Sequence, residues 1–179
     1  MKIYHGSKNE FKEFDSNLIR SNATDEGVGF YCTDNLGVAS SYGDQGYVME
    51  YEYIGKKRLS SEKITITLKD LTEFIIKLNE EDEFLSNYGD TAWEGFEKVL
   101  KRALNSLLEN NKDDVELISE ICNTDGGFES PLKLLYEVLG YDSSIVNAKW
   151  GNQKIYLIFH NSAIKYIRSW NCKVEESAI

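Results

Sequence analysis

The sequence predicts an α+β fold in one domain over residues 1–179, β-rich over residues 1–55, helical over about 69–139, and β-rich again over 140–170. Three observations carry that prediction. Short alternating apolar and polar runs open the chain, as half-buried strands require. Apolar residues then recur at i, i+3, i+4 and i+7 through the middle. Apolar, aromatic-rich runs bounded by turn signals close it.

The elements follow in order. Lys2 to His5 reads as a strand ending at Gly6-Ser7, and a polar, turn-prone stretch runs from Asn17 to Gly27. Val28 to Thr33 and Tyr47 to Ile54 are the next strands, with a short helix from Leu36 to Tyr42 between them, capped by Asp34 or Asn35. Leu71, Phe74, Ile75 and Leu78 share one helix face. Thr91-x-x-Glu94 fits a capping box opening a second helix, whose apolar stripe is Trp93, Phe96, Val99, Leu100, Ala103, Leu104 and Leu107. A third covers Asp114 to Cys122. A fourth is marked by Ser130 as N-cap, Pro131 at the first helical position and Gly140 as the stop. Ser144 to Asn147, Lys154 to Phe159 and Ile164 to Ile167 are the last strands, with a turn at Asn161-Ser162.

Composition excludes several function classes. A net charge of −10 rules out whole-surface attraction to nucleic acid, which rests on Lys and Arg neutralising phosphates. The run Lys149, Lys154, Lys165, Arg168 and Lys173 holds no acid; it reads either as a solvated edge or as a contact for an anionic ligand. Glu80 to Glu83 reads as a solvated loop. Two histidines, His5 and His160, are too few for a His-rich metal site, and Cys32, Cys122 and Cys172 have no metal-ligand spacing, so no metal is expected. The odd cysteine count and the lack of a leader-like segment predict a cytoplasmic setting, in a bacterial or a host cytosol. No apolar run approaches the roughly 20 residues that cross a bilayer, so no membrane partner is expected.

The chemistry-bearing residues cluster near the N-terminus. His5-Gly6-Ser7 closes a strand, where an imidazole and a hydroxyl can reach a cleft and Gly6 admits a close approach to the backbone. Gly27-Val28-Gly29 precedes a strand instead of joining a strand to a helix, so a Rossmann loop is excluded. It places Tyr31 on a strand and Tyr42 at the end of the short helix. Two such rings could sandwich a flat heteroaromatic ring, or simply fill the core. Cys32 faces away from Tyr31 by strand alternation.

Tyr4-His5-Gly6-Ser7, then Gly27-x-Gly29-Phe30-Tyr31-x-Thr33-Asp34, then Ala39-x-x-Tyr42, resembles the ADP-ribosyltransferase superfamily. The pattern is most similar to its diphtheria-toxin and poly(ADP-ribose) polymerase branch, with its His, Tyr, then Glu, Asp or Gln motif. Gln153 to Phe159, followed by Ile164-Lys165-Tyr166, fits the third motif without a gap. The resemblance covers roughly Lys2 to Tyr53 and Gly140 to Ile167. It implies a split β-sheet core with a helical insertion, and NAD as co-substrate.

It also implies roles. His5 bonds the nicotinamide ribose, the Gly6 backbone bonds the carboxamide, and Ser7 faces the adenosine ribose. Tyr31 and Tyr42 stack on nicotinamide, and Gln153 bonds the ribose 2′-hydroxyl to steady the cation that forms as nicotinamide leaves. Two positions depart from the pattern. Gln153 is neutral, which implies a slower reaction and no polymer synthesis. Ala39 stands where the polymerases carry a serine, with Ser40 or Ser41 as substitutes. Asp142 could supply an acid, and Lys149 and Trp150 sit in the loop that meets the acceptor. The implied activity is mono-ADP-ribosyl transfer to a macromolecular acceptor, protein rather than nucleic acid, by a bacterial or phage effector or toxin. The alternative is an inactive interaction module that binds through its helical segment.

Overall fold

The computed structural model describes residues 1–15, 26–43, 46–149 and 151–172. Among the described residues, seven strands form one sheet: β1 (Lys2–Ser7), β2 (Phe30–Thr33), β3 (Tyr47–Tyr53), β4 (Arg58–Leu59), β5 (Ser143–Asn147), β6 (Lys154–Ile158) and β7 (Ile164–Asn171), in the order β4-β5-β6-β2-β1-β3-β7. All pairings are antiparallel except β4 with β5. The strands arise where alternation predicts them, although β2 begins at Phe30 because Gly27 and Gly29 hold positive φ. Most of the predicted polar stretch from Asn17 to Gly27 lies outside the described residues.

The sheet is uneven at its centre. β1 pairs with β3 from Lys2↔Glu52 to Ser7↔Tyr47, but it meets β2 only at Tyr4↔Thr33. That seam divides β1-β3-β7 from β4-β5-β6-β2, so the two small sheets expected are joined into one at a single register pair. The halves curl towards each other: the Tyr53 and Ser143 hydroxyls, one from each half, are 2.8 Å apart. Ile3, Phe30, Cys32, Met49, Tyr51, Tyr156 and Ile158 fill the space between. Burying each such large side chain is worth about 1.5–3 kcal/mol.

The helices are α1 (Leu36–Tyr42), α2 (Leu68–Asp82), α3 (Thr91–Glu94), α4 (Phe96–Asn110), α5 (Asp114–Asp125) and α6 (Glu129–Leu139). The Asn35 side chain caps α1 by accepting from the Val38 amide at 3.2 Å. In α2, Leu71, Phe74, Ile75 and Leu78 are fully buried, as their spacing predicts. The expected capping box at Thr91 is corrected: Asp90 caps α3, accepting from the Ala92 and Trp93 amides at 2.9 and 3.1 Å. A charged carboxylate takes both orphan amides and leaves Thr91 as the first helical residue. Gly95, at φ 90°, then breaks the helix, so Trp93 and Phe96 leave the stripe and lie exposed.

Ser130 likewise does not cap α6. The helix begins at Glu129 with Phe128 before it, and Pro131 falls two residues later than expected. Gly140, at φ 74°, ends it as predicted, its amide donating to Leu135 and Tyr136 carbonyls. Glu80 to Asp82 are exposed but helical, closing α2 before Glu83. α2 and α4 to α6 bury their apolar faces with Val28, Leu59, Val146, Leu157 and Phe159. No helix among the described residues is long and apolar enough to cross a membrane.

Two predicted features acquire structural partners. Arg168, from the basic run, bonds buried Glu50 at 2.6 Å, with Lys2 on the other carboxylate oxygen at 2.5 Å. Hydrogen bonds from Lys2 and Arg168 hold the Glu50 carboxyl below its ordinary range. Asp142 is buried and accepts from the Lys56 amide and the Ser143 hydroxyl, each at 2.8 Å. It fastens the β3–β4 connection to β5.

Candidate functional site

The site grows out of the seam. Beyond Tyr4↔Thr33 the strands part, and the His5 imidazole spans the gap: Nδ1 lies 2.5 Å from the Tyr31 carbonyl. Phe30 packs against the ring with centroids 4.2 Å apart, and Phe11 at 5.4 Å. Burial lowers the His5 pKa from 6.5 to about 4, partly opposed by the bond to Tyr31. The imidazole is therefore neutral at pH 7. A carbonyl can only accept, so the proton sits on Nδ1 and Nε2 keeps its lone pair.

This shift has a consequence for stability. Between pH 6.5 and 4 the unfolded chain takes up a proton at His5 that the folded chain refuses. The folded state is thus fully favoured by this group above pH 6.5 and loses up to roughly 3 kcal/mol as pH falls through that window. Urea midpoints at pH 7 and pH 4.5 check it. Wild type should lose more stability between them than His5→Gln, and equal losses would place the shift elsewhere.

The other predicted residues frame α1. Strand alternation puts Gly6, Tyr31 and Thr33 on the face that α1 covers, and Gln153, immediately before β6, continues the row of Ile155 and Leu157 on that face. Gly6 differs from expectation. A Cβ there would stand 1.9 Å from the Ala39 carbonyl oxygen and 2.6 Å from the Gly43 nitrogen, so the missing side chain admits the backbone of α1. Ser7 accepts from the Asn9 amide at 3.4 Å. The half-buried Tyr31 ring packs against the helical core, and its hydroxyl donates to the Gly27 carbonyl and accepts from the Glu26 amide at 3.3 Å. Tyr42, at the far end of α1, is 76% exposed.

Gln153 lines an open groove of about 440 Å3 with Asp34, Asn35, Leu36, Gly37 and Asn152. Its backbone carbonyl accepts from the Ala148 amide at 3.1 Å, closing the β5–β6 loop. The structure therefore sets the His5 imidazole on the Tyr31 backbone carbonyl while their side chains take opposite faces of the sheet, His5 with Phe11 and Phe30 and Tyr31 with the helical core, and it sets Gln153 beside the start of α1. Tyr42 stands at the other end of that helix, about 9 Å along its axis.

Sequence reasoning missed the groove. The sequence offers Asp34 and Asn35 as caps and gives Asp34 no part in a groove, yet Asp34 Oδ1 accepts from the Lys154 amide at 3.1 Å and ties β2 to β6. The visible signal was the Asp34 that ends the second motif. Among the remaining candidates, Trp150 lies outside the described residues. Lys149 is exposed, its amide donating to Glu26 Oε1 at 2.6 Å. Burial pushes the Cys32 thiol well up, which removes it as a nucleophile. His160 stacks on Tyr136 with ring centroids 3.6 Å apart, at a second groove of about 230 Å3.

No curated protein and no solved structure matches the chain. A family model does, described as ADP-ribosyltransferase in polyvalent proteins, and it takes in residues 1–173. It spans both halves of the sheet, the seam, α1, the helices and the groove. The chain belongs to this ADP-ribosyltransferase family.

Proposed function

We propose that this chain is one domain that transfers a single ADP-ribose unit from NAD to a macromolecular acceptor, releasing nicotinamide, in the manner of the diphtheria-toxin and poly(ADP-ribose) polymerase branch. One observation carries the reading: in a member of this family, a neutral His5 bridges to the backbone carbonyl of Tyr31 where the two halves of the sheet part. The donor set fits NAD. His5 Nε2 would accept from a ribose hydroxyl, and the Gly6 backbone would meet the carboxamide. Exposed Tyr42 and anchored Tyr31 flank the nicotinamide ring, Ser7 faces the adenosine ribose, and the Gln153 amide meets the 2′-hydroxyl. In the reaction the C1′–N bond breaks with its electron pair on nicotinamide, a nucleophile on the acceptor bonds C1′, and that nucleophile loses its proton.

Gln153 cannot take that proton, which favours a single transfer over polymer growth. A protein acceptor in a bacterial or host cytosol, with the chain as an effector, agrees with a net charge of −10. The test is incubation with NAD labelled in the adenylate half and a bacterial lysate, for wild type and His5→Ala. Wild type should label macromolecules and release nicotinamide, and His5→Ala should do both at least tenfold more slowly. Equal labelling by the variant removes His5 from the site. Absence of nicotinamide release and of labelling in wild type favours the interaction module. Nicotinamide release without labelled macromolecules indicates hydrolysis of NAD.

A further inference from the structure

We infer that Asp34 is the base that accepts the proton of the attacking nucleophile. The inference rests on the reading of Gln153 above and supplies what that residue lacks. Of the six described residues lining the groove, Asp34 alone carries a carboxylate. It is fixed there: Oδ1 accepts from the Lys154 amide at 3.1 Å, in the residue next to Gln153. No hydrogen bond to Oδ2 is present among the described residues, which leaves that oxygen able to accept from a molecule in the groove. Asn35, on the other side, is occupied in capping α1. The groove thus sets a neutral amide and a carboxylate side by side, on the strand ends that the β2–β6 pairing holds together from Phe30↔Ile158 to Thr33↔Ile155.

The chemistry divides between the two. As the C1′–N bond of NAD breaks, its electron pair stays on nicotinamide, which leaves neutral. The nucleophile, an acceptor hydroxyl or a water, forms the new bond to C1′, and its proton passes to Asp34 Oδ2 and then to solvent. General-base assistance of this kind contributes about 10²–10⁴-fold where deprotonation limits the rate, and less where bond cleavage dominates.

A nucleophile that carries no proton separates this role from a merely structural one. Wild type and Asp34→Asn are incubated with NAD, with and without sodium azide, and nicotinamide, ADP-ribose and ADP-ribosyl azide are separated by chromatography. Asparagine keeps an oxygen for the Lys154 amide, so β2 and β6 stay joined. ADP-ribose formation should fall about tenfold or more in Asp34→Asn. Azide should restore turnover of the variant as ADP-ribosyl azide, and that product should form a larger share than in wild type. Wild type that turns over NAD while Asp34→Asn matches it in ADP-ribose rate and in azide share overturns the role of Asp34 alone. Wild type that releases no nicotinamide overturns the transferase reading and the role of Asp34 with it.

Discussion

Gly6→Ala is expected to lower nicotinamide release from NAD by about 10²-fold while the protein stays folded. The added methyl would stand 1.9 Å from the Ala39 carbonyl oxygen and 2.6 Å from the Gly43 nitrogen. Both are backbone atoms, and the two groups bond each other at 3.0 Å where α1 ends, so no side-chain rotation relieves the overlap. The helix as a whole must move away from β1 by more than an ångström. Overpacking of this kind costs about 1–3 kcal/mol, which a domain of this size tolerates. Function is more exposed to the shift, because α1 carries Tyr42 at one end and forms a groove wall with Gln153 at the other. Both turnover and the urea midpoint should be measured. A variant destabilised as stated but fully active would show that α1 has no part in placing NAD. Ala39→Gly is the informative companion: it leaves the carbonyl in place, and so should not rescue Gly6→Ala.

What the sequence made legible is local. Strand alternation located β1, β3, β5 and β6 closely, because the period of two survives whatever the strand pairs with. α1 was found to the residue, since Asn35 and the break after Tyr42 are chain-local signals. The misses are competitions between neighbouring candidates. Asp90 beside Thr91 and Phe128–Glu129 ahead of Ser130 decide two helix starts, and which group takes the orphan amides depends on how the preceding loop arrives. At Gly6 the local signal is incomplete for a different reason. Its open flank is visible in the sequence, but what fills it depends on the 26–43 segment folding back over β1. The seam was not legible either: nothing in residues 2–7 or 30–33 says that two adjacent strands pair at one position and then part. The motif residues point to His5, Tyr31 and Gln153, and of these Gln153 lines the groove, where the Asp34 that ends the second motif stands beside it.

The helical side of the molecule yields the largest expected loss of stability. Asp114, fully buried at the first position of α5, accepts from the amides of Ser60 at 3.1 Å, Thr65 at 2.7 Å and Ile66 at 3.1 Å, and from the Thr65 hydroxyl at 2.5 Å. Its own amide donates back to the Ser60 carbonyl at 3.1 Å. One side chain thus organises the whole turn between β4 and α2, and the positive end of α5 favours its charge. In Asp114→Ala three backbone amides lose their acceptor, and each one left buried and unpaired costs about 1–3 kcal/mol. Water entering the opened turn would recover part of that, so the net loss should be about 3–5 kcal/mol. Asp114→Asn keeps one acceptor oxygen and should lose about half as much. Urea unfolding of the three proteins measures this, with an unchanged slope as the sign that the folded state keeps its compactness. Because the partners of Asp114 lie in residues 60–66 and none in the seam or the groove, the folded fraction of Asp114→Asn should turn over NAD at the wild-type rate. If Asp114→Ala instead unfolds at the wild-type midpoint, the turn is held by Ile66 and Leu59 packing alone, and the carboxylate is a passenger.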